Sequence, residues 1–123
     1  MPNYSITDVD FLYRMISILD EPNYALFWKL DNGRKFPSSA AFKTKPNEDG
    51  LSVNIAALTT HEATAGNVEE FGVAEISAST PISLGYECEH NPQPDNDAHA
   101  LIVGDTKPIA KKLSKAVTQV FQF

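Results

Sequence analysis

Residues 90–99 gather side chains that move protons and bind metals, His90 and His99 with Asp95 and Asp97, beside the amides Asn91 and Asn96 and with Glu87 and Glu89 just before. Imidazole is the side chain whose ordinary titration lies nearest neutrality, and a neighbouring acceptor decides which ring nitrogen carries the proton. On that chemistry His99 is the candidate general acid or base, oriented by Asp95 or Asp97. His90 and Asn96 are candidate ligand contacts. The plainer reading is structural. Asp95 and Asn96 after Pro94 are turn formers, and His99 then buttresses the turn from the start of a strand. The spacing speaks against a local metal site. There is no HExxH, no HxH and no cysteine pair, so ligands would have to converge from distant segments, and no metal or other cofactor is expected.

A second group begins with Arg14, one of two arginines. It lies inside the apolar run 9–18, where an unpaired charge is costly to bury, so it needs a partner. That partner is either a carboxylate of the acidic middle segment or an anionic ligand gripped by the guanidinium fork. Ser38 and Ser39 would add hydroxyls to such a cradle, and Phe42 a stacking face. Arginine, hydroxyls and His99 make the kind of inventory that nucleotide-handling pockets use. No P-loop, dinucleotide-binding or hydrolase-elbow motif accompanies them.

Cys88 is the single cysteine, which excludes an intrachain disulfide and a cysteine-based zinc cage. Between Glu87 and Glu89 it reads as a small apolar strand residue whose thiol is kept protonated by its acidic neighbours. His61 falls in the first turn of a short helix, exposed.

These residues must be positioned by short elements. Residues 9–18 alternate as a strand partly covered on both faces, with a short helix as the alternative. DNG (31–33) signals a tight turn between LFWKL and RKF, with Phe27 and Trp28 helping to cover the core. LSVNIA (51–56) is a strand with Leu51, Val53 and Ile55 on one face. Thr59 with Glu62 three residues on forms a capping box for a helix ending near Gly66. FGVAEIS (71–77) is a strand. Residues 79–85 make one helical turn with Pro81 at its start and Gly85 past its end. Strands at 86–90 and 99–104 follow. In the last segment Ile109, Leu113, Ala116, Val117 and Val120 recur at helical spacing, with lysines opposite and Asp105 or Thr106 as cap, predicting one amphipathic C-terminal helix packed on the sheet. The sum is a single α+β domain, 1–123: a mostly antiparallel or mixed sheet of five or six short strands, short helical turns and that helix.

With 123 residues, the chain is long enough to bury a core without staples. Ten basic residues against sixteen acidic ones give a net charge of −6. The distribution says more than the sum: residues 46–106 contain no lysine or arginine, while eleven of the sixteen carboxylates lie there. Such a segment is either a solvated surface or a face for a cation or a basic partner. Nucleic-acid binding, which needs a basic stripe, is disfavoured. No signal-peptide pattern or long apolar run is present, so a soluble cytoplasmic protein without membrane attachment is expected.

The blocks FPSSAAFK (36–43), DGLSVNIAALTT (49–60), FGVAEI (71–76) and HNPQPDNDAHALIVG (90–104), in this order, resemble a group of small uncharacterised bacterial proteins with SSAAFK, DGLSV and HxPxPDNPAHA-like blocks. The resemblance covers the chain from about Arg14 onward and departs at Asp97, where the group carries proline. It implies kinship of fold and attaches no activity.

Two function classes follow. One is a small module that binds a protein partner through its acidic face and the 90–99 loop. The other is an enzyme or ligand-binding domain for an anionic small molecule or nucleotide, using Arg14, Ser38, Ser39 and His99.

Overall fold

The computed structural model describes residues 4–17, 28–31, 34–66 and 71–121. Among these the strands are β1 (Phe11–Ser17), β2 (Trp28–Asp31), β3 (Arg34–Pro37), β4 (Gly50–Ile55), β5 (Phe71–Ser77), β6 (Cys88–His90), β7 (His99–Val103) and β8 (Val117–Phe121). β2 and β3 pair as an antiparallel hairpin. The other six form one sheet in the order β6-β7-β4-β1-β5-β8. Every neighbouring pair in it is antiparallel, so the sheet of this α+β fold is antiparallel and not mixed. Among the described residues three short helices accompany it: α1 (His61–Ala65), α2 (Ser79–Ser83) and α3 (Ala110–Lys115).

Period-two alternation divides the sheet into two faces. Leu12 and Ile16 of β1, Leu51, Val53 and Ile55 of β4, Ala74 and Ile76 of β5, and Ala100 and Ile102 of β7 all point to one side and are buried. Register joins them: Leu12 stands opposite both Ile55 and Ile76, Leu51 opposite Ile102, and Val53 opposite Ala100. Against this face sit Ala41 and Phe42 of the 3-10 turn Ser39–Phe42, and Ile109, Ala110 and Leu113 of the C-terminal segment. Each large aliphatic side chain so buried stabilises the fold by roughly 1.5–3 kcal/mol. Gly50 opens β4 because β7 runs so close that a Cβ there would collide with the Ile102 carbonyl.

The second face carries Tyr13, Met15, Ser52, Asn54, Val73, Glu75, His99 and Leu101 by the same alternation. α1 covers part of it through Thr64, whose hydroxyl accepts from Asn54 Nδ2 at 3.0 Å. At its edge His61 stacks on Phe121, centroids 3.9 Å apart, and Tyr13 meets the same ring edge-on at 6.0 Å. His61 is therefore half-covered, not exposed.

Four sequence expectations are corrected. The cap of α1 is Thr60, whose Oγ1 accepts from Ala63 N at 3.1 Å. Thr59 is already committed, its N–H closing the preceding 3-10 turn on Ala56 O at 3.4 Å. β6 starts at Cys88, not residue 86, because the Tyr86 N–H is tied back to Pro81 O at 3.0 Å. Pro81 is the third residue of α2 instead of its first. The long C-terminal helix is also not formed. A 3-10 turn, Lys107–Ile109, and α3 place Ile109, Ala110 and Leu113 on the core, and the chain then extends into β8. The β-branched Val117, Thr118 and Val120 suit an extended backbone, and pairing with β5 covers what would be an open edge. The main sheet has six strands, within the five or six expected, and β2 and β3 form a separate two-stranded sheet. Phe27 and the Trp28 side chain lie outside the described residues. Among the described residues no helix is long and apolar enough to cross a membrane.

Candidate functional site

The 90–99 loop folds back on itself by a tight bridge, Gln93 N to Asn96 O at 2.9 Å and Asn96 N to Gln93 O at 3.0 Å, with Pro94 and Asp95 at the tip. Asn96 then anchors the loop. Its Oδ1 accepts from Ala98 N at 3.2 Å, and its Nδ2 donates to Asn54 Oδ1 at 2.8 Å. Asn54 passes the chain on to Thr64, and Thr64 Oγ1 donates to Thr60 O at 2.9 Å. This amide relay ties the loop across β4 to α1.

His99 sits beside the relay. Its Nδ1 lies 2.8 Å from Asn91 O and 3.2 Å from Asn91 Oδ1, and its Nε2 lies 3.3 Å from Ser52 Oγ. A carbonyl oxygen only accepts, so the network assigns the ring proton to Nδ1 and leaves Nε2 to accept from the Ser52 hydroxyl. The orienting group is thus Asn91, which corrects the expectation of Asp95 or Asp97. Asp95 is exposed at the turn tip, because the bridge directs it to solvent. Asp97 contributes its main-chain carbonyl to His90 Nε2 at 2.6 Å.

His90 is occupied at both nitrogens, since Nδ1 also accepts from Tyr4 N at 2.8 Å. It latches an N-terminal strap in which Tyr4 OH donates to Asp10 Oδ1 at 2.6 Å and Thr7 N to Asp10 Oδ2 at 2.8 Å. The Asp10 carboxylate, by accepting that bond, holds the Tyr4 phenol above its usual range.

Arg14 belongs to the other face. Its parity is that of Leu12 and Ile16, and its guanidinium reaches Ala41 O from Nε at 3.0 Å and Ser52 O from Nη1 at 2.9 Å. The second bond is available because the paired register between β1 and β4 stops at Tyr13 and Asn54. Burial pushes the Arg14 pKa down, and the Glu48 charge opposes that shift. Among the residues whose side chains are described, no lysine or arginine has a carboxylate within 4.0 Å; His61 Nε2 lies 3.3 Å from Glu62 Oε1, an ion pair only when the imidazole is protonated. Ser39 opens the turn that supplies the Ala41 carbonyl, and Ser38 precedes it, both half-buried. Phe42 closes that turn fully buried, so it offers no stacking face; its ring is core. Arg14 is therefore tied, on the core side of the sheet, to the turn that Ser38 and Ser39 open, while His99 lies on the other face, so the four are not brought into one cluster. The two groups meet at Ser52, whose carbonyl faces Arg14 and whose hydroxyl faces His99.

Sequence reading does not single out Ser52, and it names Asn91 within the loop without a role. Alternation with Leu51 and Val53 assigns Ser52 to the face away from the core, but its neighbour across β7 is fixed only by register.

Cys88 packs half-buried against the core, and burial pushes its thiol up to about 11. The cause is desolvation, not the flanking glutamates. Relative to the ordinary 9.0, a thiol at about 11 carries roughly a hundredth of the thiolate at pH 8. Disulfide-exchange labelling of the native chain is expected to run about a hundredfold slower than in urea. Equal rates would show the thiol to be solvated. The sign is that of a raised acid: the support the neutral thiol lends to the fold is complete below pH 9 and lost as pH rises toward 11.

Among the described residues no three His, Cys, Asp or Glu side chains converge as metal ligands would. No family model, no curated protein and no solved structure matches this chain.

Proposed function

We propose that the chain is a binding domain for a small molecule bearing a phosphate or carboxylate, gripped by Arg14 on the core side of the sheet. The observation that carries this reading is a half-buried guanidinium bonded to two main-chain carbonyls, with no carboxylate partner among the described residues. Taking a cation from water with no carboxylate in contact, the Glu48 charge acting only at longer range, costs several kcal/mol, and a bound anion recovers part of that. A guanidinium has five N–H donors, of which these bonds use two, and the rest suit a bidentate oxyanion. The Ser39 hydroxyl, at the start of the same turn, supports the cradle. The single, protonated Cys88 fits a reducing, cytoplasmic setting for such a domain.

Thermal melts at constant ionic strength test it. Inorganic phosphate or pyrophosphate is expected to raise Tm saturably, by about 2.7 kcal/mol of stabilisation at a hundred times Kd. Arg14→Met is expected to abolish the rise, and Arg14→Lys, which lacks the fork, to weaken it. An equal rise with chloride, or one retained in Arg14→Met, would reject the reading.

A second reading, a basic protein partner, draws on the exposed Glu87, Glu89, Asp95 and Asp97 at the β6 end, which have no basic counter-charge within 4.0 Å among the described residues. Its complex should weaken steeply with salt and fail in Glu87→Lys/Glu89→Lys. A partner held unchanged by that variant removes this face.

A further inference from the structure

The Ser52 hydroxyl lies on the open face, half-buried, where water alone would satisfy it. The fold nevertheless aims an imidazole at it. Asn54 stands opposite His99 and Ser52 opposite Leu101, so His99 and Ser52 are diagonal neighbours on one face of a paired ladder. Both come from strands of the central sheet, which hold side chains more closely than loops do. The ring is turned by Asn91 so that Nδ1 carries the proton and the Nε2 lone pair meets Oγ at 3.3 Å. Nucleophile, base and orienter in that sequence are the arrangement that activates a weak hydroxyl.

We propose that Ser52 is a nucleophile toward short acyl esters, with His99 as general base and Asn91 as positioning residue. As Oγ bonds to the acyl carbon, Nε2 takes the hydroxyl proton. The ester C–O bond then breaks, and the departing alcohol takes that proton from Nε2. Water, deprotonated in turn by Nε2, attacks the acyl-serine; Ser52 leaves with the proton, and the carboxylic acid is released. The acyl chain is received by Leu101, paired with Ser52 on the same face. General-base assistance alone is worth roughly 10²–10⁴-fold, so turnover is slow and covalent trapping is the sharper readout.

The whole chain is incubated with a fluorophosphonate, whose phosphorus bonds to a reactive serine and expels fluoride. Residues 46–106 hold no lysine or arginine, so the adduct is mapped after cleavage at acidic residues. Labelling of Ser52 is expected to be at least tenfold faster than of Ser77 or the exposed Ser83, to fall at least tenfold in His99→Gln, and to vanish in Ser52→Ala along with cleavage of 4-nitrophenyl acetate. If His99→Gln melts early, Ser52→Cys decides: its thiol must react with iodoacetamide at least tenfold faster than that of Ser83→Cys, placed at an exposed position away from any imidazole. Labelling of Ser52 no faster than Ser77, labelling indifferent to His99→Gln in a folded variant, or a Ser52→Cys thiol no more reactive than that of Ser83→Cys overturns the proposal. None of these outcomes bears on anion binding at Arg14, which lies on the other face.

Discussion

Phe42→Ala is expected to destabilise the domain by about 4 kcal/mol, read as a lower urea midpoint at unchanged slope. The ring is wholly inaccessible to solvent and belongs to the same buried cluster as Leu12, Ala41, Ile109 and Leu113. Truncation removes the transfer free energy of the ring and leaves a cavity. That cavity cannot close readily, because one wall is a sheet paired on both sides of β1 and another is α3. Phe42→Leu keeps most of the volume and is expected to lose no more than about 1.5 kcal/mol, with the phosphate response at Arg14 intact. A cost under 1 kcal/mol for Phe42→Ala would mean that the ring lies at the surface, and would restore it as a stacking face.

What was legible in the sequence is what local periodicity encodes. Leu51, Val53 and Ile55 alternate with polar residues, which reads directly as a half-buried strand, and the DNG turn announces the pairing of β2 with β3. The C-terminal segment misleads because Ile109, Leu113, Val117 and Val120 fit a helical stripe as well as a broken one. The deciding contribution is the free edge of β5, which no window of sequence contains. The candidate site divides the same way. His99 stood out by its chemistry, but Asp95 and Asp97, its neighbours along the chain, are carried away by a turn. Its hydroxyl partner is 47 residues distant. Arg14 was rightly expected to need partners, yet it finds main-chain carbonyls where the sequence suggested a side-chain acid or an anionic ligand. Parity along β1 and β7, read without register, cannot say that these two residues face opposite ways.

Thr106→Val is expected to cost about 3 kcal/mol, although it changes almost no volume. Thr106 is fully buried, where its Oγ1 donates to Phe42 O at 2.5 Å and accepts from Thr44 N at 3.1 Å. Thr44 reciprocates: its Oγ1 accepts from Thr106 N at 3.3 Å and donates to Asp105 Oδ1 at 2.9 Å. This clasp fastens the exit of the Ser39–Phe42 turn to the entrance of the C-terminal segment. Valine has the shape but not the hydroxyl, so it leaves a buried N–H and a buried carbonyl unpaired, each worth roughly 1–3 kcal/mol. Thr106→Ser keeps both bonds and should lose about 1 kcal/mol or less, for one methyl group. The Lys107 N–H, and then the Thr44 hydroxyl, hold the Asp105 carboxyl below its usual value. For a depressed acid the support is present above about pH 4 and is lost as pH falls through the lowered value. Asp105→Asn is expected to flatten the acid limb of the stability profile, whereas Thr106→Val lowers the whole profile. A loss under 1 kcal/mol in Thr106→Val would show that water replaces the hydroxyl, and that packing of Phe42 and Leu113 holds the turn unaided.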